Sequence, residues 1–600
     1  MGTRGVVTSG HYLATAAGFR MMEQGGNAID AAAAMCFALN LLEPQNNSTG
    51  GEVPTLIYSA QERKAYAVSG MGWSPQALTI DWCRAHDIDI IPGDGFLPAC
   101  VPAVVDTWAV ALARFGTLSF AQVLAPTLEL AEQGFPLYES LHNYLLANRP
   151  RFEERYPSTF ALYYPWGRAP EIGEVWRNPD YAQMLKQLCA AEAGAAHKGR
   201  VAGIEAARDA FYSGEIAQRI VEFITHNAVM DASGKAHTGL LSAADMAEWH
   251  ATIEEPLSAS YRGYDVYKCP AWTQGPVFLQ QLTLLEGFDL AGLGHNSADY
   301  LHTLMECANL AFADREAYYG DPLFDPAPWD VLLSKAYAAE RRKLIGEQAS
   351  RELRPGNVGH GIPAYATFDV LADNRQALQV INRSDRLAVG SGADLPDDLR
   401  MMKGHLGDTT HLDAIDRAGN MVASTPSGGW IGSSPVIPGL GFPLGTRAQM
   451  FYLNAQRPNA LAPRKRPRAT LTPSLVTRNG EPYMAFGTPG GDSQDQWTLQ
   501  FFLNHVDFGM NIQEALDAPS VHSLHFPSSF YPREAYPARM EAENRIVPDV
   551  IAELERRGYE VIVTPGWVNG KCMGIRINHE HGVIEGGAAA KGTIGYAFGW

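Results

Sequence analysis

From Thr410 to Thr425 the chain alternates apolar and polar residues on both sides of Asp416-Arg417-Ala418-Gly419-Asn420. That is the period of a strand with turn-forming residues at the tip, and it predicts a β-hairpin. An isolated hairpin is barely stable in water, so the rest of the chain must supply strands beside it and cover for its faces. The residues after it do so. Strands are expected near 471–477 and 482–487, a helix near 492–508, a helix at 546–557 leading into a strand from Glu560 to Thr564, and closing strands near 572–577 and 582–585. The front of the chain has another character. Residues 11–42 read as a helical stretch broken at Gly25-Gly26-Asn27, with an Ala-rich buried helix resuming at Ala28. Residues 53–69 alternate like a second hairpin. The region from about 100 to 345 is largely helical, with periodic segments at 118–134 and 297–319, and 350–405 is irregular. The fold class is therefore α+β, with a helix-rich front and a β-rich back that begins abruptly at Thr409.

The 600 residues are 46% hydrophobic, enough for a large core, and length alone allows roughly three to four domains. A net charge of −18 argues against nucleic acid as a partner. The first residues carry no charged n-region before an apolar stretch, and no apolar run approaches the ~20 residues of a membrane helix. Gly2 invites an acylation reading, but that pattern wants Ser or Thr at position 6, where Val6 stands. The seven cysteines are scattered, without CxxC spacing. Neither a zinc site nor a disulfide framework is expected, and reduced cytosol is the expected compartment.

Two segments carry chemistry. The first is Gly407-Asp408-Thr409-Thr410-His411-Leu412-Asp413. By itself it reads as a polar loop entering a strand, since Thr is a common β-former. A hydroxyl nucleophile needs a base, and no Gly-x-Ser-x-Gly or His-Glu-x-x-His motif offers one elsewhere. The alternative base is a threonine's own α-amine, whose pKa of ~7.7–8.0 suits neutral pH. That nitrogen is an amide until the 408–409 bond is cut. The second segment is Gly487-Thr488-Pro489-Gly490-Gly491-Asp492-Ser493, between a strand and a helix. Adjacent glycines let backbone N–H groups approach an oxyanion closely, although an ordinary turn would look the same.

Several segments in order resemble the γ-glutamyltransferase family of N-terminal-nucleophile hydrolases. They are Glu23-Gln24-Gly25-Gly26-Asn27-Ala28-Ile29-Asp30, Tyr261-Arg262-Gly263-Tyr264-Asp265-Val266-Tyr267, and Phe312-Ala313-Asp314-Arg315-Glu316 through Pro322. Thr409-Thr410-His411, Lys465-Arg466-Pro467 with Thr470-Leu471-Thr472-Pro473, and Gly487 to Gly491 complete the set. The resemblance implies a four-layer αββα sandwich built from two autoprocessed chains, 1–408 and 409–600, that stay together as one shared fold. It implies cleavage between Asp408 and Thr409, Thr409 as nucleophile, Ser427 where the family usually has a threonine touching the nucleophile's amine, and Gly490 and Gly491 as the oxyanion pair. No metal or organic cofactor is implied. The expected partners are a small-molecule amide or γ-glutamyl substrate and the two processed chains for each other, with a homo-oligomer open.

The departures bear on substrate. Typical members hold the substrate α-carboxylate with an Arg, where this chain aligns Ile80. The Asp that pairs with the α-ammonium falls near Phe451-Tyr452. An Asn after the hairpin aligns with Gly429, a serine pair with Ala469-Thr470, and a four-glycine segment with Gly50-Gly51-Glu52-Val53-Pro54. Without both charged partners a free γ-glutamyl zwitterion is poorly compensated. Arg447, Arg468 and Thr470 are the substitutes near those positions, although both arginines also read as ordinary surface residues. The expectation is an amidohydrolase or acylase on a different amide. The alternatives are a true γ-glutamyltransferase or glutathione hydrolase, and an uncleaved binding protein that kept the fold.

Overall fold

The computed structural model describes residues 1–370, 408–592 and 594–600. Of the irregular stretch expected at 350–405, residues 371–405 lie outside the described residues, as does Gly407.

Two antiparallel sheets form the centre. The first has seven strands in the spatial order Tyr596–Gly599, Gly5–Ser9, Leu412–Asp416, Met421–Ser424, Thr55–Ser59, Lys64–Val68, Ile253–Glu254. The second has six, in the order Val583–Ala588, Met573–Asn578, Glu481–Gly487, Ser474–Arg478, Tyr264–Lys268, Leu257–Tyr261. Both sheets mix strands from before and after residue 409. Gly5–Ser9 runs beside Leu412–Asp416 from Gly5↔Asp416 to Ser9↔Leu412. On the other side, Met421–Ser424 pairs with Thr55–Ser59.

Side-chain parity sets the layers. Leu412, Ala414 and Val422 face a core shared with the helices Tyr12–Glu23 and Ala28–Leu42. Ile415, Met421 and Ala423 point the other way and meet Leu475, Ala485 and Ile575 of the second sheet. Val266, Val476, Met484 and Phe486 then face the helices Pro276–Leu285, Ala298–Tyr318 and Gln494–Val506. The order helix, sheet, sheet, helix is the expected αββα sandwich.

The break at Gly25-Gly26-Asn27 has a clear cause. Gly25 takes φ +90 after the first helix. Asn27 then caps the second, its side chain accepting from the Ile29 and Asp30 amides while Asp30 accepts from the Asn27 amide at 2.8 Å. The strand Gly5–Ser9 and the three-stranded sheet of Val521–Ser523, Arg539–Glu543 and Glu560–Thr564 are additions to the expected elements, of which only the last strand was anticipated. The chain ends meet: the Thr3 and Arg4 amides donate to the Trp600 carbonyl at 2.7 and 2.9 Å.

Candidate active site

Thr409 stands three residues before Leu412–Asp416, at the leading end of an interior strand of the first sheet. It bridges antiparallel to Ser427, and the Thr410 amide donates to the Pro426 carbonyl at 3.1 Å. Ser427 is bridged in turn to Glu52, each amide donating to the other's carbonyl at 2.9 Å. Three segments thus lie side by side, closer than side chains permit. A Cβ on Gly51 would fall 2.1 Å from the Ser427 carbonyl oxygen. Gly428, at φ +72, leaves room for the Glu52 carboxylate, which a Cβ would meet at 2.3 Å.

The hydroxyls of Thr409 and Ser427 are 3.0 Å apart, and Ser427 Oγ donates to the Asp408 carbonyl at 3.1 Å. Arg447 Nη2 donates to Ser427 Oγ at 2.5 Å while its Nε donates to Glu52 Oε1. Arg447 is fully buried, its guanidinium 4.8 Å from the centre of the Trp430 ring. Burial pushes the Glu52 carboxyl up and the Arg447 charge pulls it back.

Thr409 lines a cavity of about 440 Å³ together with Asp408, Gly490, Glu43, Trp497 and Lys571. Gly490 holds φ +126, and a Cβ there would strike the Trp497 ring at 2.2 Å. Gly491 lies deeper, off the cavity wall, its carbonyl accepting from Gln274 Nε2 at 3.4 Å. Asp492 fixes this turn. Its carboxylate takes the Arg315 guanidinium, the Ser529 hydroxyl at 2.6 Å and the Ser529 amide at 2.8 Å. Glu43 is buried, and its Oε2 has no hydrogen-bond partner among the described residues. Burial raises its carboxyl to about 7, against the lowering pull of the Thr410 hydroxyl and Lys571.

His411 supports the strand from below. Its Nδ1 meets Thr425 Oγ1 and its Nε2 meets Asp413 Oδ1, both at 2.9 Å. A Cβ at Gly487 would overlap the imidazole at 2.2 Å, which explains the glycine that opens the second segment.

Of the other expected residues, Arg447 reaches Ser427 and the rest sit away from Thr409. Arg468 is an interior residue, not a surface one: Nη2 donates to Glu316 at 2.9 Å and Nη1 to the Arg315 carbonyl at 3.0 Å. Arg447 too is interior, held by Glu52. Thr470 is buried, its hydroxyl unpartnered among the described residues and off the cavity wall. Tyr452 donates to Glu316 Oε2 at 2.5 Å, and Ile80 opens the short helix Ile80–Ala85. The sequence motifs are thereby explained as partners. Arg315 anchors the Gly490-Gly491-Asp492 turn, Glu316 receives Arg468, and Asp321 receives Arg466 at 2.7 Å. Glu43, Glu52 and Lys571 were not singled out from sequence. Lone charged residues carry no spacing signal, and only the departure at Glu52 pointed to one of them.

Two face-to-face antiparallel sheets between helical layers define the N-terminal-nucleophile hydrolase class. The family model described as Gamma-glutamyltranspeptidase matches residues 14–597. The chain belongs to that family. It is 30% identical over 599 residues to the Glutathione hydrolase-like YwrD proenzyme of Bacillus subtilis (strain 168), covering 99% of this chain and 98% of that protein. Among solved structures it is similar to LmbA2991HD, with 42% identity, a TM-score of 0.89 and coverage of 100% and 98%. It is also similar to a cephalosporin acylase from Bacillus halodurans, with 30% identity, a TM-score of 0.80 and coverage of 100% and 96%. No helix among the described residues is long and apolar enough to cross a membrane.

Proposed function

We propose that this chain cuts its own backbone between Asp408 and Thr409 and then works as an amidohydrolase through the new N-terminal threonine. The observation that carries the reading is that Thr409 lines the cavity beside Gly490, with its hydroxyl 3.0 Å from that of Ser427, in a member of a family with proenzyme relatives. Thr409 Oγ attacks an amide carbonyl, its α-amine takes the proton and returns it to the leaving amine, and water opens the acyl ester. The Gly490 amide, with that of Gly491 behind it, holds the oxyanion. Intact mass and N-terminal sequencing test the first step: chains of 1–408 and 409–600 are expected, and a single band that never matures would leave the binding-protein reading standing.

The substrate we infer is an amide with a carboxylate on its acyl group, not the free γ-glutamyl zwitterion. Neither Ile80 nor Tyr452 provides a clamp, and Arg447 and Arg468 are engaged by Glu52 and Glu316. Among the described lining residues Lys571 is the one lysine or arginine, 3.7 Å from Asp408. Its ion pair with Asp408 is partly exposed and contributes little to stability, so the cation can change partners. Lys571→Met is expected to lower kcat/KM for glutaryl-p-nitroanilide roughly 10- to 100-fold, the worth of a charged hydrogen bond. Pentanoyl-p-nitroanilide should be little affected; equal losses on both would remove Lys571 from the acyl site. The relative named as glutathione hydrolase-like favours a second reading, a true γ-glutamyl enzyme. Turnover of γ-glutamyl-p-nitroanilide by the cleaved protein separates the two.

A further inference from the structure

A serine hydroxyl has one proton to give and two lone pairs to fill. Ser427 gives its proton to the Asp408 carbonyl at 3.1 Å and accepts from Arg447 Nη2 at 2.5 Å. That leaves one lone pair, which the Thr409 hydroxyl reaches at 3.0 Å. The hydroxyl is therefore saturated and has a single orientation, Thr409 to Ser427 to Asp408. The Asp408 carbonyl sets that direction, because it can only accept, and Arg447 holds the Ser427 oxygen in place between the two groups. Were the guanidinium absent, the Ser427 side chain could rotate off the line from Thr409 to Asp408, and its hydroxyl would be a weaker donor.

Arg447 has no exposed surface and is held from behind by Glu52 and by the rings of Trp430 and Phe530, at 4.8 and 5.7 Å. Glu52 stands at the point where the glycine-rich segment departs from the family pattern, and it forms one buried unit with Arg447. Among the described residues its Nη1 has no hydrogen bond, so its polar contacts there are the two to Glu52 and Ser427.

We propose that the Arg447–Glu52 pair is a positioning device for self-cleavage, acting through Ser427 on the Asp408 carbonyl. The inference rests on the reading that Thr409 attacks that carbonyl. The Thr409 Oγ–C bond forms as the carbonyl π pair moves onto oxygen. The Oγ proton passes to Ser427 while Ser427 passes its own to the Asp408 oxygen, giving a neutral tetrahedral centre. On collapse that hydroxyl proton moves to the Thr409 nitrogen, the C–N pair goes with it, and an Asp408 ester remains for water to hydrolyse. Arg447 touches only the relaying hydroxyl, and not the Asp408 carbonyl or the attacking oxygen. It fixes the position of that hydroxyl and makes Ser427 a stronger donor.

Removing one buried charge alone would strand the other, so the test removes both. R447M/E52Q is made by cell-free synthesis, and conversion of one chain to two is followed on denaturing gels beside the wild type, S427A, T409A and R447M/E52Q/S427A. The double variant is expected to melt cooperatively and to mature roughly 10- to 100-fold more slowly. Because Arg447 acts through Ser427, adding the pair of substitutions to S427A should slow it no further. Maturation at the wild-type rate, or a slowing that adds in full to that of S427A, would overturn the proposal. Should the double variant fail to fold, R447K decides the matter. A lysine keeps the charge but cannot fork to Glu52 and Ser427 together, so it should mature about 10-fold or more slowly, and wild-type speed refutes the role. If T409A itself still converts, the underlying assignment of the nucleophile is wrong, and that outcome is distinct from the others.

Discussion

Thr409→Ala is expected to leave one chain of 65.3 kDa that folds and never divides, with amide turnover lower by about 10⁴-fold or more. The substitution removes a hydroxyl whose partners are Ser427 and, through it, Asp408. It takes little from the core, because the flanking backbone bridge to Ser427 and the strand beginning at Leu412 do not depend on that side chain. Two losses then compound. Without the hydroxyl no ester forms with Asp408, so the nitrogen of residue 409 stays an amide and never becomes a base. Without the hydroxyl there is also no acyl acceptor for the substrate. Thr409→Ser keeps both functions and should still mature. A cleaved Thr409→Ala protein on a denaturing gel would end the N-terminal-nucleophile reading of this residue.

Glu316→Gln is expected to cost about 3–5 kcal/mol of stability, the usual result of stranding buried cations. Glu316 lies inside the helix Ala298–Tyr318 with no exposed side-chain surface. Arg468 stands 2.9 Å away, Arg315 3.0 Å and Arg457 3.6 Å. Burial alone would raise the Glu316 carboxyl, but these three guanidinium groups win and hold it at about 2. The sign of the pH dependence follows. A carboxylate depressed in the folded state gives stability that is complete above its unfolded pKa of ~4.3 and is lost as pH falls through about 2. Urea midpoints of wild type and variant should differ most above pH 5 and converge toward pH 2. A constant difference across that range would mean that Glu316 acts through packing and not through its charge.

The strands around Thr409 were legible because alternation is a local signal. Leu412–Asp416, Met421–Ser424, Thr55–Ser59 and Lys64–Val68 all fall within two residues of where the pattern put them. Gly5–Ser9 was harder to see. Five residues with every side chain buried show no alternation and are recognised only by the strands on either side. The candidate site divided in the same way. Thr409, Ser427 and Gly490 carried motif signals, and they converge in space. Arg447 and Arg468 were placed near the right region with the wrong partners. A sequence shows that a charge is present; its counter-charge lies 395 residues away for Arg447 and 152 for Arg468. Pairings at such separations are fixed by tertiary packing, and no spacing rule reaches them.

Both central sheets interleave strands from either side of residue 409, with Gly5–Ser9 beside Leu412–Asp416 and Thr55–Ser59 beside Met421–Ser424. Under the proposed cut these ladders, and not a peptide bond, would hold the two products together. Separating them would then mean unfolding both sheets, so the two products would behave as one folding unit.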